Sequence, residues 1–179
     1  MGMPKDQINW NGKEQRFFAA DLLRNFCQEV YISCRTEQFV ETVGYKFLPD
    51  VVSNIGPIGG ILSAMPLDPE KAWLVVACDL PLLNFETLNY LVNNRDHLKF
   101  ATAFKDRNSN FPEPLAAIWE PQGYSEVLEA VRRQKFSPRN ILKNNEILLL
   151  ESPFPDVLMN VNTPYEAAVA KQIINSIRK

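Results

Sequence analysis

The sequence predicts an α/β fold in which helices pack on a mostly parallel β-sheet. Segments typical of strands alternate along the chain with segments of helical periodicity, as in proteins built from β-α-β units. Residues 73–78 (WLVVAC) are apolar on both faces, as expected of a buried strand in the centre of a parallel sheet. The chain has 179 residues, 46% of them hydrophobic, which suits a single domain over residues 1–179.

Six short apolar segments are predicted to be strands. They lie at 29–34, 45–48, 73–78, 100–104, 114–119 and 147–151. Pro49 ends the second strand, because proline has no N–H group to donate to a neighbouring strand. The polar residues 105–112 form a loop between the fourth strand and the fifth.

Helices are predicted between and after these strands. They cover 13–28, 38–43, 61–65, 85–94, 124–134, 137–144 and 163–177. Apolar residues such as Phe17 form one stripe along the first helix, and Gly44 closes the second. The last helix has the clearest start, with Thr163 as N-cap and Pro164 at the first helical position. Glu166 adds a carboxylate to its first turn.

Composition and charge exclude several classes of function. The 19 Lys+Arg and 21 Asp+Glu residues give a net charge of −2, without the basic excess of a protein that coats nucleic acid. No apolar run approaches the ~20 residues of a membrane span, and residues 1–6 lack the apolar core of a signal peptide. Three cysteines without a CxxC pair argue against a disulfide framework or a zinc site and fit a reducing cytoplasm. A single histidine, His97, disfavours Ser-His and Cys-His hydrolases.

Polar residues follow the predicted strands at the sheet edge where α/β folds bind ligands. They are Ser33, Asp50, Asp79, Asn160 and Asn162. Asp79 follows the most apolar strand, and its carboxylate oxygens suit Mg²⁺, which proteins hold with one or two carboxylates together with substrate phosphates. Capping of the next helix explains Asp79 less well, because that helix begins several residues later.

Two further features admit both a ligand-binding and a structural interpretation. Gly56, Gly59 and Gly60 let the backbone approach an anion at a helix N-terminus, but short glycine clusters are also common in plain turns. Lys5 is either a phosphate-binding cation or a solvated surface lysine, and no neighbour in sequence decides between the two.

The polar residues after the strands also admit both a ligand-binding and a structural interpretation. Asp50 is either a turn residue after Pro49 or a hydrogen-bond acceptor for a base or a ribose. Asn160 and Asn162 share one face if their segment is extended. They also fit an Asx-turn that leads into a capped helix, and the two interpretations are compatible.

Four motifs, in this order, resemble those of one protein family. They are GPIGGILSA at 56–64, VVACDLPLL at 75–83, EPLAAIW at 113–119 and NVNTP at 160–164. Together they are similar to the molybdenum cofactor guanylyltransferases of the MobA-like nucleotidyltransferase family, and the resemblance spans nearly the whole chain. It implies a three-layer, Rossmann-like nucleotidyltransferase fold.

The resemblance also implies a reaction and its residues. GTP would give its GMP unit to the terminal phosphate of molybdopterin carrying molybdenum, and pyrophosphate would leave. Asp79 would hold Mg²⁺, Lys5 would contact the GTP phosphates, and Asp50 would contact the guanosine. In-line transfer of this kind depends on positioning and on charge neutralisation.

The remaining site residues implied by the resemblance divide into two groups. Nucleotide binding would involve Gly56, Gly59, Gly60 and Ser33, which stands where the family usually has asparagine. On the pterin side, Asn160 and Asn162 would face the pterin substrate or the metal region, and the basic segment of Ser137 and Arg139 would touch substrate phosphate. The implied partners are GTP and molybdopterin, and contacts with other molybdenum cofactor proteins are compatible with this role.

The start of the sequence departs from the family. Its members begin with an apolar strand and a loop of the form Leu-Ala-Gly-Gly-x-Ser-x-Arg-Met-Gly, and Met1-Gly2 resembles the end of that loop. We therefore expect residues 1–179 to lack the first strand and most of the loop, so that the neighbouring strands need another partner. Two alternatives stay open: a non-catalytic module that docks on a partner or on pterin, and a transferase that uses CTP or another phosphorylated acceptor.

Overall fold

The structure is a computed structural model that describes residues 5–39, 42–106, 109–154 and 156–177. The strands in these ranges are β1 (Tyr31–Cys34), β2 (Lys46–Pro49), β3 (Trp73–Val76), β4 (Ala101–Lys105), β5 (Pro112–Trp119) and β6 (Leu148–Leu150). The α-helices are α1 (Gln15–Leu23), α2 (Ile58–Ala64), α3 (Phe85–Asn93), α4 (Tyr124–Arg132), α5 (Pro138–Lys143) and α6 (Pro164–Ile177).

The described strands form two separate sheets. β1 and β2 pair in parallel, with Ile32 opposite Phe47. The other sheet has the order β3-β5-β4-β6, in which β5 is antiparallel to both of its neighbours and β6 is parallel to β4. β3, β4 and β6 therefore run in one direction, and β5 makes the sheet mixed. The predicted α/β class is confirmed.

Helices cover both faces of the four-stranded sheet. Successive side chains of β5 point to opposite faces: Ala117 and Trp119 join a core formed with α2, α4 and α5, whereas Ala116 and Ile118 join a core formed with α3. This alternation produces the three layers that the resemblance implies.

A third core attaches α6 to the rest of the molecule. It consists of Trp10, Leu82, Val161, Ala170 and Ile174.

Within the ranges described above, no helix combines the length and the apolarity that a membrane crossing needs.

Two of the predicted helices differ in the structure. α1 ends at Leu23, earlier than predicted, and the chain then turns so that the ring of Phe26 stacks on that of Phe85 with centroids 5.0 Å apart. The helix predicted over 38–43 is wrong for its described part, because Thr36–Gln38 is a short 3-10 turn and Phe39 is extended. Residues 40 and 41 of that prediction lie outside the described residues.

The third predicted strand has a different place in the sheet. Alternate residues of β3 pack against the two cores, which explains its apolar character on both faces. Among the described residues, however, only β5 pairs with β3, so β3 lies at an edge of this four-stranded sheet and not at its centre. Its other edge faces a cavity that also borders β1.

Candidate active site

Ser33 and Asp50 lie together at the carboxyl ends of β1 and β2. The hydroxyl of Ser33 donates a hydrogen bond of 2.8 Å to Oδ1 of Asp50, and the backbone N–H of Asp50 donates to the carbonyl of Cys34. Burial raises the pKa of the Asp50 carboxyl above its ordinary value, and the hydrogen bond from Ser33 acts in the opposite direction. The strand ends thus present one partly buried carboxylate held by one hydroxyl.

Two glycines of α2 make room for this pair. A Cβ on Gly60 would overlap the hydroxyl of Ser33 and lie 3.0 Å from Cβ of Ser33. A Cβ on Gly59 would lie 3.2 Å from Oδ2 of Asp50 and 3.1 Å from the carbonyl of Val52. The first turn of α2 therefore approaches the Ser33–Asp50 pair so closely that a side chain at Gly60 would require Ser33 to move.

Gly56 and Ser63 shape the chain at the start of α2 in two different ways. Gly56 has φ +70°, a left-handed conformation that favours glycine. Ser63, a buried residue that sequence analysis did not select, accepts from the N–H of Val51 at 2.8 Å and donates to the carbonyl of Gly59 at 2.7 Å. Ser63 thereby ties the loop after Asp50 to α2. A serine among apolar residues in a short helix was the only signal for this role.

Asp79 lines the same cavity as Ser33 and Gly60. It is half-buried, and its carbonyl accepts a hydrogen bond of 3.0 Å from the N–H of Val161. This bond fixes Asp79 beside Asn160 and Asn162, which flank Val161 in sequence. The structure thus brings the predicted metal-binding residue next to the predicted pterin-side segment.

The segment after Asn160 forms a capped helix start. Thr163 accepts from the N–H of Glu166, and Oε2 of Glu166 accepts from the N–H groups of Asn162 at 2.7 Å and Thr163 at 2.8 Å. The predicted cap at Thr163 and the start at Pro164 are confirmed. Val161 is buried at 2% exposure, Asn160 is half-buried and Asn162 is exposed.

Arg139 lies in the first turn of α5, a helix capped by Ser137. Its Nη2 is 3.2 Å from Oδ2 of Asp106 and 3.2 Å from Oε2 of Glu113. Arg139 is therefore held by two carboxylates, which the sequence analysis did not foresee.

Glu113 is a second functional candidate that sequence analysis missed. It is only 6% exposed, and its Oε1 accepts from the N–H of Leu115. Burial raises the pKa of the Glu113 carboxyl, the Leu115 N–H and Arg139 lower it, and the negative charges of Asp106 and Asp79 raise it further. This influence of Asp79 places Arg139 and Glu113 in the same electrostatic neighbourhood as Asp79. A lone carboxylate inside an apolar strand was the available signal.

Arg16 supplies another cation near the carboxyl ends of β1 and β3. Its side chain is 12% exposed and pairs with Glu14 at 2.7 Å and with Asp6 at 3.5 Å. Burial raises the pKa of the thiols of Cys34, at the end of β1, and Cys78, just after β3, and the charge of Arg16 acts in the opposite direction. The side chain of Lys5, the predicted phosphate-binding lysine, lies outside the described part of the structure.

The described side chains fit a divalent cation that takes most of its ligands from a bound substrate. In the described ranges, no group of three or more His, Cys, Asp or Glu side chains is arranged to hold a metal ion. Mg²⁺ commonly binds proteins through one or two carboxylates and takes its other ligands from phosphates and water. A single carboxylate such as Asp79 is compatible with that mode.

A sheet whose polar residues gather at the carboxyl ends of its strands is typical of the class of α/β proteins that bind ligands at that edge. The chain belongs to the family described as MobA-like NTP transferase domain, which matches residues 1–148. This family and its curated relatives are nucleotidyltransferases, and such enzymes use a divalent metal. The resemblance stated from the motifs is confirmed.

Two curated relatives have similar sequences. The chain is 29% identical over 167 residues to the molybdenum cofactor biosynthesis bifunctional protein of Synechocystis sp., with 92% of this chain and 48% of that protein covered. The chain thus spans about half the length of that relative. It is 28% identical over 173 residues to a probable molybdenum cofactor guanylyltransferase of Nostoc sp., with 94% of this chain and 83% of that protein covered.

Solved structures show the same fold. Molybdopterin-guanine dinucleotide biosynthesis protein A from Archaeoglobus fulgidus superimposes with a TM-score of 0.77 at 21% identity, over 98% of this chain and 92% of that one. A 2-C-methyl-D-erythritol 4-phosphate cytidylyltransferase from Thermus thermophilus gives 0.72 at 11% identity, over 96% and 94%. At these identities the solved structures show the fold, while the names of the curated relatives support a nucleotidyltransferase role in molybdenum cofactor biosynthesis.

Proposed function

We propose that this protein transfers GMP from GTP to the terminal phosphate of molybdopterin. A phosphate oxygen of the acceptor forms a bond to the α-phosphorus of GTP, the bond from that phosphorus to the bridging oxygen breaks, and pyrophosphate leaves with the bond's electrons. One observation carries the proposal: Ser33, Gly60 and Asp79 line a single cavity. The backbone of Asp79 is in turn hydrogen-bonded to the segment 160–162.

The Ser33–Asp50 pair is the proposed contact for the guanosine. Guanine carries two adjacent N–H donors on its Watson–Crick edge, and a carboxylate accepts two such donors well. Because Ser33 already donates to Oδ1 of Asp50, the carboxylate is oriented before the nucleotide arrives. Gly59 and Gly60 leave the space beside this carboxylate open, so we place the nucleoside there.

Asp79 is the proposed ligand of Mg²⁺. When bound there, the ion would neutralise charge on the phosphate oxygens. Asp79 itself is held in place by its backbone bond to Val161, so its carboxylate stays at the boundary between the nucleotide side and the acceptor side. The phosphates of GTP would lie along this boundary, near Arg16 and Lys5.

The acceptor side comprises Asn160, Asn162 and Arg139. Amide side chains offer both donors and acceptors, which suits a pterin ring with both kinds of group. Arg139 offers a planar guanidinium that matches phosphate geometry. Its present partners, Asp106 and Glu113, orient it and would share it with the phosphate of the acceptor. A cytoplasmic location completes the proposal and is compatible with three free cysteines.

The test is nucleotidyl transfer by the native polypeptide that contains these residues, with GTP and CTP side by side. We expect GTP to be used at least tenfold better, because a carboxylate pairs with both N–H donors of guanine. Asp79→Asn should abolish pyrophosphate release, whereas the matched exposed variant Asp156→Asn should not change it. Equal use of CTP, or GTP binding without any transfer, would refute the proposal.

A further inference from the structure

Two basic residues lie on one side of α5, one helical turn apart. Arg139 and Lys143 are at positions i and i+4, so their Cβ atoms are about 6 Å from each other. Pro138, Ile141 and Leu142 form the buried side of the same helix. The two basic residues therefore lie next to each other, outside this buried side.

Each basic side chain meets a residue at the start of β5. Nη2 of Arg139 is 3.2 Å from Oε2 of Glu113, and Nζ of Lys143 lies 3.7 Å from the centre of the Phe111 ring. Phe111 and Glu113 are two positions apart, which is about 6.6 Å along a strand. This distance matches one turn of α5, so the helix and the strand hold two cationic groups in register.

These contacts lie at the ligand-binding edge of the sheet. Phe111 immediately precedes β5, whose start lies beside the carboxyl end of β4. β5 also pairs with β3, the strand that Asp79 follows, and the cavity that β1 lines borders β3 as well. Phe111 and the Ser33–Asp50 pair are therefore on different sides of Asp79, which puts Phe111 on the acceptor side of the proposed reaction.

The charges of the two cationic groups are balanced differently. Arg139 is shared between Asp106 and Glu113. In the described ranges, by contrast, no carboxylate oxygen lies within 4.0 Å of Nζ of Lys143. Lys143 and Phe111 are both exposed, so an anion can reach the ammonium group. Lys143 therefore contributes a positive potential that the neutralised Arg139 does not.

The loop before β5 adds an unpaired hydroxyl to this cluster. The N–H of Ser109 donates to Oδ1 of Asp106 at 3.0 Å, and the N–H of Asp106 donates to the carbonyl of Phe111 at 2.8 Å. Asp106 thereby ties this loop to Arg139. Oγ of Ser109 is buried and has no hydrogen-bond partner among the described residues. Buried hydroxyls are normally paired, so this one is available to a polar group of a ligand.

We propose that Lys143, held over the ring of Phe111, binds a second anionic group of the acceptor while Arg139 binds its terminal phosphate. The site then selects acceptors in which two anionic groups lie about one helical turn apart. The molybdenum-bearing end of the proposed acceptor supplies such a group. Phe111 is a positioning residue, since an aromatic ring attracts a cation without neutralising its charge. The inference rests on the acceptor of the proposed function but not on the nucleotide.

Equilibrium binding of molybdopterin without nucleotide tests this subsite. Lys143→Met removes the charge and keeps an apolar side chain over Phe111, so we expect about tenfold weaker binding and a smaller dependence on salt concentration. Lys171→Met is the matched control, because Nζ of Lys171 also lies over an aromatic ring, 5.8 Å from the centre of Trp10. It should leave the affinity and its salt dependence unchanged. A purely structural role of Lys143 would not alter the salt dependence.

Two more variants and a transfer assay separate the possible outcomes. Lys143→Arg retains the charge and should bind within about threefold of the parent. Phe111→Leu should weaken binding about two- to fivefold, as expected for an exposed cation–π contact. In transfer from GTP, Lys143→Met should raise the KM for the acceptor but not the KM for GTP.

The binding results decide the inference independently of catalysis. Absence of molybdopterin binding by the parent would overturn it, and so would binding by Lys143→Met within about twofold of the parent. If the parent and the variants bind molybdopterin with the expected differences but the parent transfers nothing from GTP, the proposed function is wrong and the subsite at Lys143 stands.

Discussion

Gly60→Ala tests whether the close approach of α2 to the Ser33–Asp50 pair serves nucleotide binding. The added Cβ would overlap the hydroxyl of Ser33 and lie 3.7 Å from Oδ1 of Asp50. Ser33 must then rotate away, and the bond that it donates to Asp50 is lost. A hydrogen bond to a charged group contributes about 1.5–3 kcal/mol. Because Ser33 is exposed, we take the lower end, about 1.5 kcal/mol, which is about tenfold in affinity.

The assay is calorimetric binding of GTP with a divalent metal, accompanied by an NMR titration of the Asp50 carboxyl. We expect about tenfold weaker binding. We also expect a higher pKa of Asp50, because the hydrogen bond from Ser33 lowers this pKa in the folded protein. The pH below which nucleotide binding weakens should rise in parallel, since binding to guanine requires the ionised carboxylate.

A second background separates the steric effect from a general loss of stability. In Ser33→Ala the hydroxyl is absent, so Gly60→Ala should cost less there than in the unmodified protein, although Cβ of residue 33 still lies 3.0 Å away. The reasoning is refuted if Gly60→Ala leaves GTP affinity within twofold of the parent. It is also refuted if the loss is equally large in both backgrounds.

Three further predictions concern residues around the site. Glu113→Gln should raise the KM for the acceptor but not for GTP, with exposed Glu126→Gln as control. Because burial raises the pKa of Glu113 in the folded state, the free energy of unfolding falls as pH rises through this pKa, and Glu113→Gln should remove that slope in denaturant titrations. Glu166→Ala should destabilise the start of α6 by about 1 kcal/mol, seen as a lower Tm. Burial raises the pKa of Cys78 to about 12, so alkylation at pH 8, followed by mass spectrometry, should leave Cys78 almost unmodified.

Local patterns in the sequence predicted most of the elements. The cap at Thr163, the helix after Asn84 and the strand from Trp73 depend on neighbours within a few residues, and the structure has all three. The reversed direction of β5 could not be predicted in this way. Its apolar residues, such as Ala117, suit a parallel or an antiparallel strand equally, since either is buried on both faces when helices cover the sheet.

The candidate site was also predicted only in part, because local patterns do not report contacts between distant residues. The rule that ligands bind beyond the carboxyl ends of strands selected Ser33, Asp50 and Asp79. It could not select Glu113, Arg16 or Ser63, because their roles depend on contacts between residues distant in sequence. Glu113, for example, meets Arg139 across 26 positions, and nothing in the local sequence of β5 indicates that partner.

The residues missed in this way matter for the electrostatic potential of the candidate site. Under the proposed function, a chain of net charge −2 would bind two anionic substrates, yet Arg16 and Arg139 are each paired with two carboxylates. Arg16 pairs with Asp6 and Glu14, and Arg139 pairs with Asp106 and Glu113. Neither cation therefore adds much net positive potential by itself. In the proposed reaction, the neutralisation of the transferring phosphates would come mainly from Mg²⁺ at Asp79 and from Lys5, while the paired arginines would act as fixed donors whose carboxylates hold them in position.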